Sequence, residues 1–368
     1  MSSDVYFINL RATWKENLFK KLGKLLEAAG LSGVVDKRDL VALKLHFGEK
    51  GNTAFIRPIF IREIVKNIKE VGGRPFVTDA NTLYKGSRGD AVNHTITAIQ
   101  NGFSYAVVDA PIIIADGLMG RSQTEVFINQ KHVEAAYIGS EIVNADTLIS
   151  VAHFKGHDLT GFGGALKNVG MGCASRAGKL VQHSGLAPKV KRKKCIGCGE
   201  CVDHCSQNAI SLAEEKAIVN PETCIGCGEC ILICPQMAIQ VKFGKSLPDF
   251  MEKMMEYALG VLKTKQNKSL FINFITNVSP ACDCWPVADA PIVRDIGILA
   301  STDPVAIDQA SVDLVNKEPA LPDSCMKEGR EAGSDKFRAL YPKTDWTIQL
   351  TYAEHLGLGA RKYNLIQI

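Results

Sequence analysis

The chain has 368 residues, enough for a sizeable hydrophobic core and for two domains. Its composition, 46% hydrophobic and 22% charged, is that of an ordinary folded protein, and a net charge of +4 is too near balance to imply a nucleic-acid partner. Residues 1–18 hold no apolar signal-peptide core, and no uninterrupted apolar run approaches the roughly 18 residues that cross a bilayer. A cytoplasmic protein without membrane contact is expected, in which clustered cysteines favour metal over disulfides.

In chain order, the apolar run 5–10 predicts a strand. Residues 17–29 place Leu18, Leu22, Leu25 and Leu26 on one face of a helix that Gly30 would close. A second strand is expected over 40–46, then a helix over 57–70 with Pro58 in its first turn and a stripe of Ile61, Ile64, Val65 and Ile68. Strands are expected at 75–78, 105–108 and 147–152. Beyond a cysteine-rich segment the pattern resumes: a helix over 248–264, strands over 270–275 and 292–299, and a helix running to about 315 with Asp303 as its cap. Alternating strands and helices predict an α/β layered domain with a largely parallel sheet. The simplest division is a discontinuous α/β domain, 1–186 and 244–368, interrupted by a small α+β module at 187–243. Two separate domains are the alternative.

Of 12 cysteines, eight fall between Cys195 and Cys234. They repeat one spacing, C-x2-C-x2-C-x3-C, first as Cys195, Cys198, Cys201 and Cys205, then as Cys224, Cys227, Cys230 and Cys234. Two-residue gaps let a tight loop wrap three sulfurs around a small site, and the intervening glycines permit its turns. Pairs of C-x2-C also bind zinc, but zinc does not require this duplicated order. The segment resembles the two-cluster bacterial ferredoxins, in which the last cysteine of each run ligates the other cluster. That resemblance implies one [4Fe–4S] cluster on Cys195, Cys198, Cys201 and Cys234, and a second on Cys224, Cys227, Cys230 and Cys205. Ser206 departs from the pattern, because the family and the second run (Pro235) have proline there. The resemblance also implies one-electron transfer and a protein electron donor or acceptor. The basic run 189–194 is either a docking patch for an acidic partner or a solvated linker.

The densest remaining motif contains His153, Lys155, His157, Gly161, Gly163, Gly164, Lys167 and Asn168. It follows a strand, so it should leave the carboxyl edge of the sheet, where α/β folds bind ligands. Glycines let backbone N–H groups approach an anion, and the two lysines add charge. The spacing is neither a dinucleotide fingerprint nor a P-loop. Three further polar groups sit at expected strand ends: Lys44, His46 and Glu49; Asp79 and Asn81, with Arg88 and His94 beyond; and Cys282, Asp283 and Cys284, with Asp295 and Asp303. Singly each reads as caps and turns. Together they predict one pocket for a small anionic ligand, with His153, His157 and Lys167 as catalytic candidates. Lys44, His46, Asp79, Asn81, Lys155, Gly163, Gly164, Asn168, Asp283 and Asp303 are the expected binding residues. Cys282 and Cys284 are candidate ligands for a further metal with His153 or His157, while Cys173 and Cys325 are expected to be inert.

With these motifs assembled, the chain resembles the family catalogued as domain of unknown function 362, in its version with a built-in ferredoxin module. This implies an iron–sulfur protein whose reaction is unassigned. A shorter stretch, His157-x3-Gly161-Phe-x-Gly164-x2-Lys167, is similar to the lactate racemase family, where a histidine precedes by the same separation a lysine that anchors a nickel-pincer nucleotide. The second glycine pair is displaced by one position and the usual proline-glycine is missing. That likeness implies an anionic or hydroxy-acid-like ligand. The expected function is an oxidoreductase in which two [4Fe–4S] clusters exchange electrons with a small anionic ligand or organic cofactor. A non-catalytic electron carrier, and a racemase- or transferase-like enzyme with structural clusters, are the alternatives.

Overall fold

A computed structural model describes residues 2–84, 86–183, 187–240 and 246–368. The apolar runs of the sequence pair into one eight-stranded sheet. Its strands are β1 (Ser3–Asn9), β2 (Leu40–Lys44), β3 (Arg74–Asp79), β4 (Ile112–Ile114), β5 (Thr147–His153), β6 (Ser269–Ile275), β7 (Gly297–Ser301) and β8 (Tyr363–Gln367). They lie in the order β8-β1-β7-β6-β5-β2-β3-β4. Among the described strands of this sheet, β7 alone runs against its neighbours, and every other pairing is parallel. The protein is therefore of the α/β class with a largely parallel sheet.

Every residue of β5 and β6 is buried, as befits strands covered on both faces. The covering helices are α1 (Leu18–Ala28), α2 (Pro58–Glu70), α3 (Ala165–Gly170), α4 (Arg176–His183), α5 (Leu247–Lys263) and α6 (Pro304–Lys317). Strand side chains alternate between faces. From β6, Leu270, Ile272 and Phe274 join the leucines of α1 and the isoleucines of α2. Phe271 and Ile275 join α3, α5 and α6 on the other side. Asn17 caps α1 by accepting from the Lys20 N–H, and Gly30 beyond its end takes a left-handed φ of 84°.

Two expected strands differ. Residues 105–108 form one helical turn, Tyr105–Val108, closed by Asp109 at φ 59°, and the strand comes later as β4. The β-branched content of four residues does not decide between a turn of helix and a strand; the left-handed Asp109, whose N–H donates to the Tyr105 carbonyl, closes the turn. The strand expected over 292–299 begins only at Gly297. Before it, Asp295 accepts the Asn277 N–H at 2.6 Å and holds the chain in a loop.

The cysteine-rich segment builds an antiparallel hairpin, Ile210–Ala213 with Lys216–Val219, and a two-residue pairing of Lys189–Val190 with Ile239–Gln240. Its apolar centre gathers Cys201, Ile210, Ala217, Ile231, Cys234 and Ile239, together with Leu83 and Leu180 from the larger part of the chain. The expected boundary residues 186, 243 and 244 lie outside the described residues. Among the described residues, no helix is long and apolar enough to cross a membrane.

Candidate functional site

Parallel strands end together, so their last side chains share one edge. Here β2, β3 and β5 deliver Lys44, Asp79 and His153 to the carboxyl edge, and the loop after β6 adds Cys282, Asp283 and Cys284. A cavity of about 540 Å³ opens at this edge. From β2 and β3 it is lined by Lys44, His46 and Asp79. The segment after β5 contributes Lys155, His157, Gly164, Lys167 and Asn168, and Cys282 and Cys284 close the wall.

Charge pairing fixes this wall. The Lys44 ammonium lies 3.0 Å from Asp79 Oδ1 and donates to Asn168 Oδ1 at 2.9 Å. The Asn168 amide in turn donates to Ser150 Oγ at 2.9 Å and to the Lys44 carbonyl at 3.1 Å, tying α3 to the sheet. Arg88 reaches Glu49 at 3.1 Å and Asp79 at 3.6 Å. Burial alone would raise the Asp79 carboxyl, but Lys44, His46, His94 and Arg88 hold it well below the usual carboxylate range. His94 is itself pushed down to about 3 by burial.

At the far wall, Lys167 Nζ lies 3.5 Å from Cys282 Sγ, and the Cys284 N–H points to the same sulfur at 3.4 Å. Hydrogen bonding from Cys284, then Lys167 and His157, holds the Cys282 thiol well below its ordinary range despite burial. Burial works against the Lys167 ammonium, yet the two thiols raise it. Burial and then Lys167 push His157 down, and its ring lies between the Leu159 N–H, which donates to Nδ1 at 3.2 Å, and the Cys282 thiol.

Some expected residues serve the scaffold instead. His153 points Nδ1 at Asp283, 2.9 Å away, and Nε2 at the Thr276 carbonyl, also at 2.9 Å. Both ring nitrogens are occupied, so His153 clamps the 276–283 loop rather than facing a ligand. Asp283 is fully buried beneath that clamp, with Lys155 at 3.5 Å. Asn81 donates to Asp116 at 2.9 Å. The N–H groups of Ala165 and Leu166, which the glycine-rich motif was expected to offer an anion, donate instead to buried Asp308 at 2.7 and 3.0 Å. A Cβ at Gly164 would collide with that carboxylate, so close packing explains this glycine, whereas one at Gly163 would meet only the movable Lys167 and Lys155 side chains. Asp303 is at the opposite edge of the sheet, because β7 runs backwards. There it caps α6 and accepts Ser3 Oγ at 2.6 Å.

Sequence reasoning missed Lys179 and His183, one turn apart on α4, which line the cavity opposite Lys44. Burial lowers Lys179 to about 8, with Asp116 and Asp79 resisting. His183 stacks on Phe250 at 4.8 Å and meets the Tyr84 hydroxyl at 3.3 Å. Their i,i+4 spacing was visible, but it is also the spacing of any solvated helix face.

The cassette cysteines form two neighbourhoods. Cys195, Cys198, Cys201 and Cys234 line one small cavity beneath the first loop. The thiols acting electrostatically on Cys224 are Cys227 and Cys205, and at Cys230, where the two neighbourhoods meet, Cys201 joins them. Matched left-handed glycines shape the two loops: Gly197 and Gly199 at φ 69° and 83°, Gly226 and Gly228 both at 70°. Backbone N–H groups aim at the sulfurs, Ala209 at Cys205 and Ala238 at Cys234, each at 3.2 Å, and Ala217 at Cys195 at 3.4 Å. Ser206 therefore leaves its cysteine with the same contact that Cys234 has beside Pro235. Among the described residues, the one set of three His, Cys, Asp or Glu donors within 4.8 Å of one another is His132, Asp249 and Glu252. Cys282 has both Cys284 and the His157 ring within hydrogen-bonding reach. Four converging thiols around a cavity, with N–H groups on the sulfurs, fit a four-iron core.

A family model described as "Domain of unknown function (DUF362)" matches residues 41–313. No curated protein matches the chain. Among solved structures, the lactate racemase apoprotein from Thermoanaerobacterium thermosaccharolyticum is similar at 13% identity and a TM-score of 0.40, over 86% of this chain and 59% of that one. A Thermotoga maritima protein, a target of the Northeast Structural Genomics Consortium, is similar at 12% identity and a TM-score of 0.35, over 70% of this chain and 49% of that one. The chain thus spans 59% and 49% of the length of these two proteins.

Proposed function

The chain belongs to the family of domain of unknown function DUF362, and from that premise we propose that it is an iron–sulfur oxidoreductase. Cys195, Cys198, Cys201 and Cys234 would hold one [4Fe–4S] cluster, and Cys224, Cys227, Cys230 and Cys205 another. Bound there, the clusters supply one-electron transfer. The cavity at the carboxyl edge takes a small anionic ligand as the electron-exchanging partner.

The observation that carries this reading is the crossed sorting of the cysteines: Cys234 lines the first loop's cavity and stands with Cys195 and Cys198 around Cys201, while Cys205 stands with Cys227 beside Cys224. Leu83 supports the link between the two sites, since it packs in the cysteine segment's apolar centre and also lines the ligand cavity. For the ligand's charge, Lys44, Arg88, Lys155, Lys167 and Lys179 all line the cavity. The buried Arg88 Nη2 has no hydrogen-bond partner among the described residues, a donor that an anion would satisfy. His157, whose ring reaches the Cys282 thiol beside Lys167, would exchange a proton with a ligand on that side.

Anaerobically purified protein should contain about eight irons and as many acid-labile sulfides, four per cluster. Zinc without labile sulfide would sink the redox assignment. With clusters present, His157→Ala and Lys167→Ala should abolish the reoxidation of dithionite-reduced protein by its co-purifying small molecule. Unchanged reoxidation would remove the cavity from the proposal.

A further inference from the structure

Cys282 and Cys284 take no part in either cluster set, yet both face the ligand cavity. They are the first and third residues of a turn that the Trp285 N–H closes onto the Cys282 carbonyl at 3.1 Å. Residues so placed fall within the roughly 4.4–6.8 Å Cα separation that a disulfide spans. The turn is held from behind. The Asp283 side chain between the two cysteines is gripped by His153 at 2.9 Å, and its carbonyl accepts the Glu49 N–H at 3.1 Å. The two sulfurs differ in setting. Cys282 is 2% exposed with the Lys167 ammonium 3.5 Å away, whereas Cys284 is exposed and within reach of a ligand.

We propose that Cys282 and Cys284 form a reversible two-electron dithiol–disulfide centre at the wall of the ligand cavity. Reduction breaks one S–S bond and takes up two electrons and one proton, leaving Cys282 as a thiolate paired with the Lys167 ammonium and Cys284 as a thiol. The electrons arrive singly from a low-potential one-electron donor, the class of centre proposed for the cysteine segment, so this half rests on that reading. The proton comes from water in the cavity. In the reverse direction the reduced pair gives the same two electrons and one proton to a small two-electron acceptor bound among the lysines. The centre gives one-electron donors a means of serving two-electron chemistry.

The tryptic peptide from Ser269 to Arg294 contains these two cysteines and no others. Whole protein, oxidised with diamide or reduced with dithiothreitol, is quenched, alkylated with iodoacetamide and digested. The reduced peptide should carry two labels, and the oxidised one should carry none and regain both on reduction. In Cys284→Ser, Cys282 should keep its label under both conditions. A peptide that retains both labels after diamide, in protein whose fold is intact by circular dichroism, would overturn the centre whether or not clusters are present. In a second arm, reduced methyl viologen should restore both labels in the intact protein, and this should be lost in a Cys205→Ser/Cys234→Ser variant. A disulfide that forms and reverses with dithiothreitol but gains nothing from the clusters would overturn the electron route alone. Missing acid-labile sulfide would instead refute the cluster reading.

Discussion

Lys167 holds its ammonium nitrogen 3.5 Å from the Cys282 sulfur, across 115 residues of sequence. The contact joins the glycine-rich segment after β5 to the loop after β6, and it places the cation against the one cysteine of the pair that solvent hardly reaches. Because the cation favours the charged form of its neighbour, Lys167→Met should raise the Cys282 pKa. In a Cys284→Ser background the pH at which Cys282 becomes open to alkylation should then move upwards. The pH profile of iodoacetamide labelling reads this directly. An unchanged profile would mean that the amine does not act on the sulfur.

Lys44 and Asp79 form a pair with both side chains almost wholly buried, 3.0 Å apart. Lys44→Met leaves the carboxylate short of its nearest counter-charge and should cost about 3–5 kcal/mol in urea unfolding. Lys44→Met/Asp79→Asn should recover most of that. Asp79 has a depressed native pKa, so its contribution is present above the unfolded value of about 3.9 and is lost as pH falls towards the native one. Asp79→Asn should therefore be less sensitive to acid below about pH 4 than the parent.

Asp308 behaves oppositely. Burial raises it to about 6, in spite of the Asn273 amide and the two N–H groups it accepts. Its share of stability is full below about pH 4, the unfolded value, and declines as pH rises towards 6. Asp308→Asn should flatten the stability profile between those limits. Losing one acceptor should also cost about 1–3 kcal/mol throughout. If the two proteins have parallel profiles from pH 4 to pH 6, the assignment is wrong.

Paired substitutions test the crossed cysteine sets. Cys195→Ser and Cys234→Ser each should remove about four irons, and combining them should remove no more. Cys195→Ser with Cys205→Ser should remove about eight, because they belong to different sets. Iron content beside the reduced-state paramagnetic resonance spectrum separates this pattern from one in which each run serves its own cluster.

What could be read in advance was whatever a short stretch of chain decides by itself. Asn17, Pro58 and Asp303 announce helix starts because the cap and the helix it serves are neighbours in sequence. The apolar runs of β5 and β6 announce buried strands for the same reason. The roles of single polar residues were less legible, since their partners are distant. His153 looks like a ligand until the 276–283 loop is seen to occupy both nitrogens, and Asp303 looks like a pocket residue until β7 proves to run backwards. Lys179 and His183 resemble an ordinary surface face until α4 is seen to turn them inward.

The pairing of Lys189–Val190 with Ile239–Gln240 brings the way into the cysteine-rich segment beside the way out. A segment anchored by such a narrow neck owes its orientation to whatever else it leans on, and Leu83, Leu180, Arg176 and Arg121, the last paired with Glu229 at 2.8 Å, supply that second support. Trimming those side chains would spare every cysteine and every cavity residue bearing charge, yet leave the segment free to swivel. The electron exchange proposed between the two halves should then suffer while each remained chemically whole.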